Sequence, residues 1–462
     1  MITFNKRLFL WLVRAYIKKW GKIIALSFFV GLIAFFLFIF FSKHITNFFP
    51  EKERVGLIGA YKLDNLPSTI TKYLSLGLTT VNESGEIKPG LARFWEVKDS
   101  GKTYIFHLSK GNYFTGGKEV TSDRLGYDFK DAKIEKPDKY TIIFKLKEAY
   151  SPFLITVSRP IFPKGLGGIG EFTLGSVKVN GGYVSSLVLT ATRDKRDQTT
   201  YIFYPNQESL KTSFLLGDTT KIIGVTDTSM QYSKDQRDKT DLKSHKNITI
   251  DRQVNYGQLV TLFYNTKNEV LSDNKLRKAF TYSIPNEFEQ GLRSQLPYSP
   301  LSIYFNHTIS SRPQDLTHAK LLIDAAFNTS SDSAKRVINL KTLTRYKPVA
   351  ERLGAIWKKL GVTVKIEEVD TRPDVFEMYL GDLLIPKDPD QYELWHSKSE
   401  FNTTRFDSKR IDKLLEDGRI TQDVNQRKKI YDEFQKYLLD DALIDTPASF
   451  LYFPYTHTIT RN

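Results

Sequence analysis

A chain of 462 residues is long enough for two or three compact domains, and its 24 Tyr and 32 Phe argue against disorder. It has no cysteine, which excludes disulfides, thiol catalysis, cysteine-held zinc or iron–sulfur clusters, and a lipid anchor on an N-terminal cysteine. The formal charge is +15, but no arginine cluster interleaved with aromatics and no nucleic-acid module is present, so the excess reads as solvated surface and nucleic acid is not an expected partner.

In chain order, Ile23 to Phe41 (IIALSFFVGLIAFFLFIFF) comes first, 19 residues without a charge. As a helix it reaches about 28 Å, close to the hydrocarbon thickness of a bilayer. A cleaved signal peptide has a shorter apolar core and a small-x-small site, which Phe41-Ser-Lys-His does not offer. An uncleaved anchor in the lipid bilayer is therefore expected over residues 23–41. The flank at 1–22 carries Lys6, Arg7, Arg14, Lys18, Lys19 and Lys22 and no acid, which predicts a cytoplasmic N-terminus, with everything after about residue 43 outside. Setting the flank aside leaves 61 basic against 52 acidic residues. Phe4, Leu8, Trp11, Leu12 and Ala15 share one helical face, which fits a helix lying on the inner leaflet or an extension of the span.

After a polar tether at 42–54, Val55-Gly-Leu-Ile-Gly predicts the first strand, and Pro67 to Leu76 a helix with Ile70, Tyr73 and Leu74 inward. Leu78-Thr-Thr-Val-Asn ends in the turn Glu83-Ser-Gly-Glu. Asp99-Ser-Gly-Lys is a second turn, and Thr103 to Leu108 alternates as a half-buried strand. Thr121-Ser-Asp123-Arg is a capping pattern that predicts a helix start. Tyr140 to Leu146 alternates again, and Ser151 begins a helix that stops before Pro160. Trp95, Phe106 and Phe129 read as core.

Gly165 to Gly170 spell GxGxxG, but Pro163 and Lys164 precede them and strand-like Phe172-Thr-Leu follows. A dinucleotide loop needs a strand before and a helix after, so no nucleotide cofactor is expected. Gln231 to His245 predicts a charged surface helix or loop. Ile338 to Leu343, the helix Lys347 to Leu360 capped by Gly361, and Val362 to Ile366 form the strand–helix–strand unit of a parallel α/β lobe. Two amphipathic helices follow, with Ile411, Leu414 and Leu415, then Ile430, Phe434, Tyr437 and Leu438 inward. Phe450 to Tyr455 closes as an apolar strand. Seven scattered histidines without ligand spacing, and the lack of GxSxG or GxxxxGK[ST], predict neither a metal site nor an enzyme.

Residues 78–129 carry the ordered pattern "GL-T, acidic-Gly turn, P-LA--W-V, D-GK-Y-F-L-KG--F--G, V-S-D". It resembles the family 5 extracellular solute-binding proteins, the oligopeptide- and dipeptide-binding components of ABC importers. Leu259 to Thr266 followed by Leu276-Arg-Lys-Ala-Phe-Thr-Tyr-Ser-Ile-Pro is similar to the family's hinge strand and "-RKA--YAI" helix, with Pro285-Asn286 in place of its Asp-Arg/Lys. The likeness covers about residues 55–457. It implies an α/β fold of the type II periplasmic-binding-protein kind, two lobes with a hinge and an interlobe cleft. The first lobe, with the family's small extra subdomain, takes 55–258 plus 446–462, and the second takes 259–445. Family members usually run some tens of residues past the last strand, so either this chain is shortened or this version dispenses with that segment.

Asp388-Pro-Asp390-Gln-Tyr392-Glu-Leu-Trp395-His396-Ser397, then Asn402, resembles the family's cleft-facing "DPD-Y--WHS" loop. Trp395 and Tyr392 would offer flat apolar area with polar tips. Asp388 and Asp390 suit either a ligand ammonium or turn and capping chemistry. Gly77, where bare backbone allows close approach, and Tyr264 and Asn265 on the hinge strand complete the candidates. Peptide binders of the family commonly hold the peptide amine with an Asp a few residues ahead of this loop. Here that stretch reads Leu383-Leu-Ile-Pro-Lys387, and the nearest acid is Asp382. The resemblance implies a peptide or peptide-like solute as ligand and ABC permease subunits as partners, with no catalysis. A sensing ectodomain and a surface hydrolase are the alternatives, and the hydrolase lacks a recognisable nucleophile or metal set.

Overall fold

The computed structural model describes residues 6–45, 53–162, 167–231, 239–327, 336–439 and 446–462. Phe4, most of the tether, Pro163 to Gly165 and the centre of the charged stretch 231–245 lie outside the described residues.

Helix α1 (Lys6–Ile45) is not the straight span expected over Ile23–Phe41. Among the described residues no single helix is long and apolar enough to cross a membrane. Only a pair bent by 50°, Arg14–Ile23 with Ala25–Leu37, meets that requirement by length and composition. Near the bend the Ser27 hydroxyl donates to the Ile23 carbonyl at 2.8 Å, a back-bond of the kind that bends helices.

Beyond it come β1 (Glu53–Ile58), α2 (Ser68–Leu74), β2 (Thr79–Val81), β3 (Ile87–Pro89), β4 (Ala92–Lys98), β5 (Thr103–Leu108), β6 (Ala132–Asp138), β7 (Thr141–Leu146) and the one-turn α3 (Phe153–Thr156). The capping pattern at Thr121 opens no helix, only a single 3-10 turn at Ser122–Arg124. Ser122 is tied instead to the β6–β7 turn, its hydroxyl donating to Asp138 O at 2.6 Å and its N–H to Lys139 O at 2.8 Å. Strands β4-β5-β7-β6 form an antiparallel sheet with its own core, built on Tyr104, Phe106, Ile142, Phe144 and Phe153. Phe106 is fully buried there, and Trp95 and Phe129 pack against it half-buried.

The chain continues through β8 (Phe172–Asn180), β9 (Tyr183–Ala191), β10 (Gln198–Tyr204), α4 (Gln207–Leu216), β11 (Lys221–Val225), β12 (Ser229–Gln231), β13 (Lys239–Asp241), β14 (Ile248–Val254) and β15 (Gln258–Tyr264). The stretch Gln231 to His245, expected as charged helix or loop, thus contains a strand, β13, paired with β12 at its start. Next are α5 (Asn274–Tyr282), β16 (Gly291–Arg293), α6 (Leu316–Phe327), β17 (Val337–Leu343), α7 (Lys347–Lys359), β18 (Thr363–Val369), β19 (Met378–Leu384), α8 (Tyr392–Trp395), α9 (Lys409–Ile420), α10 (Val424–Leu439) and β20 (Ala448–Arg461). The unit β17–α7–β18 is right as read: its strands pair in parallel, Val349, Leu353 and Trp357 are buried, and Gly361 ends the helix at φ +92°.

Twelve strands make one mixed sheet in the order β18-β17-β19-β15-β20-β11-β1-β10-β9-β8, with β14 and β16 also on β20. Strand β20 is the spine. Its first half, Ala448 to Phe453, is fully buried, pairs with β15 and belongs to the large core that includes Trp357, Trp395 and Phe434. Its second half, from Tyr455 on, pairs with β14 and β11 against a separate core around Leu210, Phe214 and Ile222. Pro454, which has no N–H to give a ladder, stands between the halves. The segment 446–462, expected with the first lobe, thus contributes to both cores.

Candidate ligand-binding site

Two backbone crossings join the units built on those two cores: 255–257, between β14 and β15, and the centre of β20. They are pinned together. Asn255 N–H donates to Pro454 O at 2.9 Å, and Asn255 Oδ1 accepts from Gly257 N at 3.1 Å. Gly257 O in turn accepts from Ile385 N at 3.0 Å.

Beside these crossings lies a pocket of about 610 Å³. One wall is the β2–β3 turn, with Glu83 and Gly85. The floor is Gln253 to Gly257, and the opposite wall is Tyr298 to Ser302 with Ile385 to Lys387. The turn is held stiff by Asn82, whose Oδ1 accepts from the N–H groups of Ser84 (3.1 Å) and Glu86 (2.9 Å). The walls touch. Lys387 Nζ donates to Val81 O at 3.2 Å, and Ile303 N to Ser84 O at 3.1 Å. Gly85, at φ +82°, comes so near that a Cβ there would lie 2.8 Å from Lys387 O.

A second cleft of about 950 Å³ opens between the four-stranded sheet and α9. Phe129, Tyr150 and Phe153 form one side, and Tyr392, Glu416 and Arg419 the other. Ser151 N donates to Arg419 O at 2.7 Å across it, and the Tyr104 hydroxyl lies 3.0 Å from Gln422 Oε1. Burial pushes the Tyr104 phenol up to about 12.

The 388–402 loop brings six of the expected ligand residues into one segment, but most are occupied with each other. Asp388 is buried and grips Arg427 with both oxygens, at 2.6 and 3.0 Å, while Asp390 N–H donates to its Oδ1 at 2.9 Å. Burial opposes the charge on Arg427, but the Asp388 carboxylate beside it outweighs that and raises its affinity for its proton. Asp390 accepts from Arg419 Nε at 2.7 Å and caps Tyr392 N at 3.0 Å. Burial lifts its carboxyl above the ordinary value in spite of Arg419.

Trp395 is 1% exposed. Its indole donates to Gln391 Oε1 at 2.8 Å, and its ring meets Phe450 of β20 edge-on at 6.1 Å. It lines neither of the two pockets above. In this form the apolar area of Trp395, expected as a ligand platform, packs into the core of the second unit. Asn402 gives its amide to the Trp395, His396 and Phe406 carbonyls, so it staples the loop. His396 accepts the Lys398 N–H at Nδ1 (3.1 Å), which leaves Nε2–H for Glu416 at 3.3 Å. Of the six, only Tyr392 lines one of these two pockets, with the His396 ring at 4.0 Å and the Arg419 guanidinium at 3.9 Å, while Trp395 borders a separate pocket of about 400 Å³ beside Arg345 and Asp382.

The remaining three are also structural in this form. Gly77 does allow a close approach, but of backbone to backbone, since a Cβ there would sit 2.4 Å from Val157 O. Tyr264 is fully buried with its hydroxyl 2.6 Å from Ser449 Oγ, and Asn265 donates to Phe376 O at 3.0 Å. Asp382, the one acid near the expected amine position, already accepts from Gln258 Nε2 at 2.6 Å, from the Tyr346 hydroxyl and from Arg345. The sequence reading missed Arg427, whose spacing to Tyr431, Phe434 and Leu438 puts it on the buried face of α10 and so demands a carboxylate. It also missed Lys387 as a wall of the pocket at the crossings. Among the described residues no group of His, Asp and Glu could hold a metal ion.

Residues 86–404 match the family model described as bacterial extracellular solute-binding proteins, family 5 Middle. The oligopeptide-binding protein AppA of Bacillus subtilis (strain 168) is 24% identical over 475 residues, covering 86% of this chain and 84% of AppA. Among solved structures, the ABC transporter substrate-binding protein CtaP of Listeria monocytogenes superposes with a TM-score of 0.70 at 18% identity, covering 89% of this chain and 94% of that one. NikZ of Campylobacter jejuni, solved in complex with Ni(L-His), gives 0.69 at 17% identity over 89% and 94%.

Proposed function

Since the chain belongs to the family 5 bacterial extracellular solute-binding proteins, we propose that it is the substrate-binding component of an ABC importer, taking up peptides or similar amphiphilic solutes outside the cell and delivering them to a permease. The observation that carries this reading is the hinge pocket. Its volume of about 610 Å³ is that of a small-molecule site, and its walls come from both sides of a two-segment crossing. A guest there touches both walls and so stabilises the closed form over the open one. The related AppA is named for oligopeptide binding, which supports peptides as the first ligands to try. The chain itself would perform no reaction.

The lobes would divide at the two crossings: residues 53–254 with the second half of β20, and 258–439 with its first half. Helix α1 would hold the body at the membrane. The support is the uncharged run 23–41, preceded by a half that carries Arg14, Lys18, Lys19 and Lys22 and bends away from it by 50°. Tethering keeps the receptor at high effective concentration near its permease.

Mass spectrometry of solutes that co-purify with the full chain tests the reading, together with melting in the presence of a peptide library. Bound peptides, and a melting temperature that rises with their concentration, are the expected result. A chain that purifies empty and is stabilised by no peptide would refute it.

A further inference from the structure

The charges lining the hinge pocket say which way round a guest lies. On the second-lobe wall every nearby carboxylate is already committed: Asp388 to Arg427, Asp390 to Arg419, and Asp382 to Arg345, Tyr346 and Gln258. What that wall presents instead are donors. Lys387 has no carboxylate within ion-pair distance among the described residues, and its ammonium holds only the Val81 carbonyl. Ser299 and Ser302 accept backbone N–H groups, of Leu301 and Tyr304, each at 3.2 Å, and keep their hydroxyl protons to give. The one acid in the lining, Glu83, stands on the opposite wall and is exposed.

We propose that the hinge pocket holds its ligand carboxylate-first, with an acid group of the guest on Lys387 and the Ser299 and Ser302 hydroxyls, and that a free amine is not required. This rests on the solute-binding reading above and sets its polarity. A guest carboxylate displaces the Val81 carbonyl from Lys387, exchanging a neutral acceptor for a charge-assisted bond. A free amine, where the guest has one, points to Glu83 across the pocket. The class of solute is thus a short peptide or amino-acid derivative with a free carboxyl group, N-blocked forms included.

The test offers the full chain in detergent a tripeptide pool in three forms, unmodified, N-acetylated and C-amidated, and counts bound species by native mass spectrometry. The strongest binder is then titrated against Lys387→Gln and Lys387→Arg. The expected result is acetylated and unmodified peptides bound within about threefold of each other, and amides at least tenfold weaker. Lys387→Gln should lose a similar factor and discriminate no longer between acid and amide, while Lys387→Arg retains most of the affinity. Lys387 is exposed, so neither variant threatens the fold. Binding that survives amidation but not acetylation, or that ignores Lys387→Gln, overturns the carboxylate-first placement and leaves peptide binding standing. No binding in any form overturns both.

Discussion

Removing the Asp388 carboxylate separates a ligand role from a structural one. The side chains of Asp388 and Arg427 are 9% and 5% exposed, and Arg427 further donates to Gly418 O at 2.8 Å and lies over the rings of Tyr304 and Tyr431. Asp388→Ala leaves a guanidinium that cannot leave its pocket and has lost its one carboxylate partner among the described residues. Breaking a buried pair from one side costs about 3–5 kcal/mol. For a unit of this size each kcal/mol moves the melting temperature by about 2–4 °C, so a loss of roughly 6–20 °C is expected in a thermal melt. The double variant Asp388→Leu with Arg427→Met removes both charges and should regain most of that loss, because well-packed apolar groups replace such pairs at little cost. Peptide affinity in the double variant should return with stability. A single variant within 1 kcal/mol of wild type, or a double variant that folds but no longer binds, would refute the reasoning and return Asp388 to the ligand.

Three further outcomes are expected. Trp395→Ala should lose about 3–5 kcal/mol in denaturant unfolding, yet change peptide affinity little in whatever fraction remains folded, because the ring packs in the core and lines neither the pocket at the crossings nor the cleft beside α9. Gly85→Ala forces an unfavourable positive φ in the turn, roughly 1–2 kcal/mol whether the walls are together or apart, and adds a clash with Lys387 O only when they meet; small-angle scattering should show a wider particle and titration a weaker ligand. The proton on Asp390 binds more tightly in the folded chain than at the ordinary 3.8, so it adds stability that is full below that value and fades as pH rises through the raised one. Asp390→Asn should therefore lose least against wild type near neutral pH and fall further behind as the medium is acidified toward pH 4, as read by melts across that range.

The architecture was legible where local chemistry and tertiary use agree. The β17–α7–β18 unit has helical spacing, a glycine stop and β-branched flanks, and it folds as those signals say. The Thr121–Arg124 capping pattern misled because its donors were claimed by the β6–β7 turn, a partner 16 residues away that no local signal marks. The candidate loop was legible as a segment, but its internal bonding was not. Trp395 and Asp388 announce a surface site by residue type, and only the fold puts Phe450 against the one and Arg427 against the other. The hinge pocket itself is assembled from four separated stretches of chain, so nothing short of the fold could bring Glu83, Asn255, Ser299 and Lys387 to one place.

The shared strand β20 has a consequence for biogenesis. On a ribosome, residues 448–461 emerge after β11, β14, β15 and β16 have been waiting with an open edge, so the large sheet cannot be completed until β20 is made. Such edges invite pairing with other chains, which favours a chaperone or a secretion route that keeps the nascent polypeptide apart until its last strand arrives. Once inserted, that strand locks two separate cores in a single step, and a nick or deletion within it should undo both together.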